Sequence, residues 1–202
     1  MNENGQVTEI PLEEIPVRRE GMPTPPGAAT PRQMEIMKQW LRDVAIAIAV
    51  SWFVIAFVYQ QVLVDGTSMM PGLMDRDRLI INKFAYRFGE EKRGDVVVFL
   101  YPGDHTKSYI KRVIGLPGDD VRVERGHVFV NGGELAEPYV AERFQDDRSA
   151  QETVVPAGEV YVMGDHRSNS TDSRVFGPVP KKLIYGKAAY VYWPVKDSGS
   201  VQ

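Results

Sequence analysis

Ser68 lies in GTSMMPGL (66–73), where Gly66, Pro71 and Gly72 favour a turn or loop over a strand. A serine on such a loop can expose its hydroxyl with backbone N–H groups nearby, the donors that an oxyanion needs in acyl transfer. On this loop alone the residue reads first as an ordinary turn serine packed beside Met69, Met70 and Leu73. A serine nucleophile needs a base, and Lys111, inside YIKRVIG, is a candidate. On a strand Tyr109, Lys111 and Val113 share one face. Apolar neighbours desolvate the amine, which favours its neutral form and lowers its pKa. Taken alone, Lys111 also fits a lysine that keeps its ammonium in water, which is how the adjacent Arg112 reads. GLPGDD (115–120) reads as a structural turn. GDHRSNSTDSRVFG (164–177) is too dense in hydroxyls and charges for core. Within it Asp172 and Arg174 can pair, and Ser170 could partner a buried amine; a polar solvent loop is the other reading.

The rest of the composition narrows the chemistry. The 202 residues contain no Cys, which excludes disulfides, a thiol nucleophile and thiolate zinc sites. The three His (His105, His127, His166) are scattered, with no HExxH pair or other close metal spacing. Lys+Arg number 24 against 27 Asp+Glu, with no long basic run, so nucleic acid is not an expected partner.

Two kinds of element must position these groups. Residues 1–30 hold five Pro, several Glu and little apolar periodicity, and read as a disordered tail. Thr30–Pro31 is a helix-start signal. No residue is charged between Asp43 and Asp65. As a helix the 21 residues 44–64 would be about 31 Å long, matching a bilayer core of ~30 Å. Trp40 and Tyr59 fall near the two ends, where amphipathic rings favour the interface. We therefore expect an anchor helix over 31–63 with its span at about 44–63. A buried core helix would not be apolar all round in so small a domain. A cleaved leader would have a shorter apolar region and a small-x-small site.

Beyond the anchor, seven short runs are rich in Val, Ile, Tyr and Phe: 78–84, 95–101, 108–115, 121–123, 127–132, 159–165 and 187–193. Asn131–Gly132 is a hairpin-turn signal. No helical stretch of useful length separates the runs, so the expected body, 64–195, is antiparallel and mostly β. A small inserted lobe is expected at about 126–158, its more polar part (133–158) reading either as lobe or as long loop. Residues 196–202 read as a flexible C-terminus.

In combination the order of an uncharged span, then GTSMMPGL, YIKRVIGLPGDD and GDHRSNSTDSR resembles the type I signal peptidases of bacteria, from about residue 38 to 194. The resemblance implies two antiparallel β-sheet lobes behind an N-terminal transmembrane helix, and a serine endopeptidase that removes signal peptides from exported preproteins. Ser68 would be the nucleophile and Lys111 the base; Ser170 would orient the amine, and Asp172 with Arg174 would brace the site. Val64, Met69, Leu73, Tyr109 and Ile110 match family positions that line a shallow pocket for small residues such as Ala. The resemblance calls for no metal or cofactor, and for a monomer acting on signal peptides at a lipid bilayer. It places the N-terminus in the cytoplasm and the catalytic domain on the outer face of the plasma membrane. Three positions depart from the family pattern: Gly72 stands where Thr or Ser is usual, Gly66 where some members carry a Ser that serves the oxyanion hole, and His166 where Asn is common. A self-cleaving Ser/Lys regulator would share the chemistry but is soluble and carries a DNA-binding domain. A membrane-tethered β module that only binds would not need all three motifs.

Overall fold

The apolar run after Asp43 divides between two elements in the computed structural model, which describes residues 31–201. Helix α1 (Pro31–Val58) takes its first part, and strand β1 (Tyr59–Leu63) takes the rest, pairing antiparallel with β2 (Arg78–Asn82) so that Tyr59 faces Asn82 and Leu63 faces Arg78. The helix thus stops at Val58 and not at 63; the Val58 carbonyl accepts a hydrogen bond from Lys83 N–H, which ties the helix end to the sheet. The uncharged part of the helix, 44–58, is about 22 Å long against a bilayer core of ~30 Å. Among the described residues no helix is long and apolar enough to cross a membrane. Its apolar side chains are nevertheless open to their surroundings, Ile48, Trp52 and Ile55 being 64%, 68% and 65% exposed. The chain divides into two units, Met1–Ile46 and Ala47–Gln202. The expected tail at 1–30 lies outside the described residues.

The body of the second unit is β. Its further strands are β3 (Val96–Tyr101), β4 (Asp104–Gly115), β5 (Asp120–Glu124), β6 (His127–Val130), β7 (Gly133–Glu134), β8 (Ala150–Val154), β9 (Glu159–Met163), β10 (Val179–Pro180), β11 (Ile184–Trp193) and β12 (Gly199–Ser200). They form two antiparallel sheets. The larger runs β1-β2-β11-β3-β4-β9-β10 with β12 on β11; the smaller runs β7-β6-β5-β8. The Asn131–Gly132 turn, with both residues at positive φ, joins β6 to β7. The smaller sheet begins at Asp120, earlier than the expected 126, because β5 pairs with β6 and β8 and not with the main sheet. The C-terminal residues are held rather than loose: β12 pairs with Tyr190 and Val191, and Val201 packs against the core.

Burial explains why these runs form strands. Val96, Val97, Val98 and Phe99 of β3 are each no more than 2% exposed, so both faces of this strand are covered and its sequence is continuously apolar, not alternating. One cluster joins Val97, Phe99, Val113, Val160, Val162 and Val179 across β3, β4, β9 and β10. Another joins Ile114, Val121, Val123, Val128, Tyr161 and Met163, packing the two sheets together. Each fully buried side chain of this size contributes roughly 1.5–3 kcal/mol. Of the larger sheet, the inner strand β4 carries Lys111, the loop between β1 and β2 at one edge carries Ser68, and the 164–177 segment follows β9.

Candidate active site

Ser68 sits on the loop between β1 and β2, and the loop is anchored at both its base and its underside. Gly66 N–H donates to Asp75 Oδ1 at 2.8 Å, Met74 N–H to Asp77 Oδ2 at 2.8 Å, and Leu73 N–H to the Met69 carbonyl at 3.0 Å. Met69 and Leu73, each 1% exposed, pack with Val64, Leu79, Val96, Ala188 and Val191. These two residues were expected in the substrate pocket; they are the hydrophobic pegs of the loop instead. Apolar side chains on a polar loop fall inward when the sheet beneath offers a core, and here Val96 and Val191 supply it. Gly66 has φ +103°, a conformation strained for any L side chain, so a hydroxyl from this position is not available to the site.

Lys111 projects from β4, opposite Val97 of β3, and is 4% exposed. Its Nζ donates to Ser68 Oγ at 2.7 Å and to the Ile110 carbonyl at 2.9 Å. Burial disfavours the ammonium and lowers the pKa from 10.5 to about 8, while the carboxylates of Asp172 and Asp165 pull weakly the other way. At pH 8 about half the amine is then free, against roughly 0.3% for an unperturbed lysine. A free amine reverses the hydrogen bond, so that Ser68 O–H donates to Nζ and is poised to lose its proton.

The polar segment packs against both residues. Gly164 is the close-contact point: a Cβ there would lie 2.3 Å from Ser170 Oγ and 2.5 Å from the Ser68 carbonyl oxygen. Asp172 is wholly buried; its Oδ2 accepts from Gly164 N–H at 3.0 Å, and Arg174 grips both its oxygens at 2.9 and 2.8 Å. Burial alone would raise the Asp172 carboxyl, but the Arg174 guanidinium outweighs it and holds the group below the usual carboxylate range. Asp172 also caps the short helix α2 (Ser173–Phe176) by accepting from Arg174 N–H. Ser170, 8% exposed, lies near enough to Asp172 to help keep that carboxyl low, yet its Oγ has no hydrogen-bond partner of good geometry among the described residues. The amine is therefore held by the Ile110 carbonyl and not, as expected, by Ser170.

A cleft of about 860 Å³ opens over the Ser68–Lys111 pair, lined by Val64, Ser68, Tyr109, Ile110, Lys111 and Ser170 among others. Three of the five expected pocket residues thus lie on its wall, with Tyr109 stacked on Tyr101 at 4.8 Å. Several supporting groups escaped the sequence reading. Arg112 is no surface residue: it is 3% exposed and forms a bidentate pair with Asp165 at 2.9 and 2.6 Å. Arg167, 2% exposed, pairs with Glu137 at 2.7 and 2.6 Å and donates to the Gly164 carbonyl. Asp146 binds Arg174 at 2.9 Å. A signal for the first of these existed, since Arg112 stands beside Lys111 in YIKRVIG and Asp165 lies in GDHRSNSTDSR.

Residues 37–193 match the family described as signal peptidase, peptidase S26. The chain is 34% identical over 187 residues to signal peptidase I of Leptolyngbya laminosa, covering 89% of this chain and 91% of that one. It is 36% identical to signal peptidase I of Bacillus licheniformis, covering 79% and 90%. It is 40% identical to probable signal peptidase I-2 of Synechocystis, covering 82% and 76%. A solved signal peptidase I of Enterococcus faecalis, 32% identical, aligns with 49% of this chain and 97% of its own at a TM-score of 0.44. With a family match over most of its length and relatives this similar, the chain belongs to the signal peptidase family, peptidase S26.

Proposed function

We propose that this protein is a membrane-bound serine endopeptidase that removes signal peptides from exported preproteins, with Ser68 as nucleophile and Lys111 as general base. The observation that carries the reading is the buried, pKa-depressed amine of Lys111 at 2.7 Å from Ser68 Oγ. A module that only binds has no use for a desolvated lysine facing a hydroxyl.

Free Lys111 takes the Ser68 proton as Oγ bonds to the scissile carbonyl carbon. The carbonyl oxygen becomes an oxyanion, stabilised by backbone N–H groups. As the tetrahedral species collapses, the C–N bond breaks and the leaving amine takes a proton from Lys111. Lys111, free again, accepts a proton from the water that attacks the ester; as the second tetrahedral species collapses, the bond from the acyl carbon to Ser68 Oγ breaks, Oγ takes that proton back from Lys111, and the signal peptide leaves with a free carboxyl end. Asp172 and Arg174 brace the segment behind the amine, and Ser170 contributes an uncharged wall that leaves the ammonium unstabilised. Val64, Tyr109 and Ile110 form the apolar part of the pocket for small side chains.

Helix α1 supports attachment to the bilayer. A helix with Ile46, Ile48, Trp52, Phe53 and Ile55 all exposed is unfavourable in water. Its short uncharged part can be met by local thinning and by Lys38 and Arg42 reaching to the headgroups. We place it as a single pass in a bacterial plasma membrane, N-terminus cytoplasmic and the β body on the outer face. The basic residues Arg32, Lys38 and Arg42 ahead of it favour that direction.

The test is incubation of the detergent-solubilised chain with a preprotein whose signal ends in Ala-x-Ala, with mass spectrometry of the products. A single cut after that motif, absent in Ser68→Ala and in Lys111→Ala, is expected. Cutting elsewhere, or turnover by either variant, overturns the reading.

A further inference from the structure

Thr67 and Ser68 are gripped by a loop nearly a hundred residues further along the chain. His166 N–H donates to the Ser68 carbonyl at 3.1 Å, His166 Nδ1 donates to the Thr67 carbonyl at 3.1 Å, and Asn169 Nδ2 donates to Thr67 Oγ1 at 2.9 Å. A carbonyl only accepts, so the ring must carry its proton on Nδ1. The ring itself is held against Phe144, centroid to centroid 4.3 Å. Ser68 Oγ is bonded to Lys111 Nζ at 2.7 Å, and no hydrogen bond joins it to the His166 ring among the described residues, so the imidazole meets the loop through Thr67 and not through the nucleophilic hydroxyl.

What the grip fixes follows from peptide geometry. The cis bonds among the described residues lie at Met70–Pro71 and Trp193–Pro194, so the Thr67–Ser68 peptide is trans. In a planar trans peptide the C=O and N–H point in opposite directions. Holding the Thr67 carbonyl on His166, with Met70 N–H as its second donor at 3.1 Å, therefore aims Ser68 N–H away from His166. That N–H makes no hydrogen bond to any described residue, and Ser68 lines the cleft. Gly66 offers no hydroxyl, so the backbone donor next to the nucleophile matters more here.

We propose that His166 is a positioning residue whose ring donates to the Thr67 carbonyl and thereby orients Ser68 N–H as a donor to the oxyanion. The inference rests on Ser68 being the nucleophile. It concerns an interaction used in the transition state, so its loss lowers kcat and leaves KM alone.

The experiment compares His166→Phe, His166→Ala and His166→Asn in the detergent-solubilised full chain, with Ser68→Ala alongside. Phe keeps a ring against Phe144 but donates nothing; Asn offers an amide donor at similar reach. Removing an oxyanion donor outright costs about 10²–10³ in kcat. Disorienting one is expected to cost about tenfold or more in His166→Phe, with KM within about twofold. A peptide aldehyde, which adds to a serine to give a tetrahedral adduct, should lose affinity in parallel, whereas a non-reactive peptide inhibitor should not. His166→Asn should recover to within about threefold of the parent. If His166→Phe fails to fold, Asn against Ala at matched Tm gives the same comparison. Wild-type kcat in the folded non-donating variant, or equal losses in the donating and non-donating variants, overturns the inference. Turnover by Ser68→Ala would instead overturn the parent reading.

Discussion

Lys111→Met should leave the enzyme inactive and make it more stable, by an amount that depends on pH. The wild-type amine is buried and titrates at about 8 in place of 10.5, so the folded protein binds this proton more weakly than the unfolded chain does. Between those two values the unfolded state holds more protons, and stability rises with pH. Below pH 8 the whole penalty is present. A shift of this size corresponds to roughly 3 kcal/mol at 1.36 kcal/mol per pKa unit. Methionine is of similar length and has no charge to bury, so the variant is relieved of that penalty, less the hydrogen bonds to Ser68 and Ile110. For a body of this size ~3 kcal/mol corresponds to a rise in Tm of about 6–12 °C at pH 7. Thermal unfolding of both proteins across pH 7 to 10.5 gives the difference directly, because the other titrating groups are shared. The gap should shrink steadily and nearly vanish by pH 10.5. A variant no more stable than wild type at pH 7, or a gap independent of pH, would refute the claim that Lys111 is held as a desolvated base.

Three further outcomes follow from the geometry. Gly164→Ala places a Cβ 2.3 Å from Ser170 Oγ and 2.5 Å from the Ser68 carbonyl, so preprotein cleavage should fall more than tenfold while circular dichroism stays β-type. Met69→Ala removes a peg 1% exposed beneath the nucleophile loop; large-to-small changes in cores cost about 2–5 kcal/mol, seen as a lower Tm with a parallel loss of kcat. If α1 holds the chain in the bilayer, the intact protein should resist carbonate extraction, and protease added to spheroplasts should digest the body; release by carbonate or protection of the body would count against the topology.

How far the sequence could be read depends on whether a feature is local. The β body was legible because Val- and Tyr-rich runs such as 95–101 and 159–165 announce strands on their own; Ser68 and Lys111 stood out only through the order of the motifs that carry them, since neither loop nor strand alone tells a base or nucleophile from an ordinary residue. β1 was not legible: Tyr59–Leu63 continues an uncharged helical run, and only pairing with Arg78–Asn82 makes it a strand. Met69 and Leu73 were expected in the pocket from the family positions they match, and nothing within the loop reveals that Val96 and Val191 lie beneath it. Arg112 looked solvated because β4 alone does not show that both its faces are covered, nor that Asp165 arrives to neutralise it. The contacts of Gly164 and His166 with the nucleophile loop join residues about a hundred apart, and no periodicity encodes them.

The central claim, that a free Lys111 amine activates Ser68, is tested most directly by the pH dependence of preprotein cleavage under single-turnover conditions. Since the ammonium is inert and the free amine active, the rate should rise with pH and reach half its plateau near pH 8, with about one-tenth of the plateau remaining at pH 7. Lys111→Arg, which keeps the charge but cannot release its proton, should be inactive at every pH. A limb centred near the 10.5 of an ordinary lysine, or cleavage by Lys111→Arg, would contradict the account.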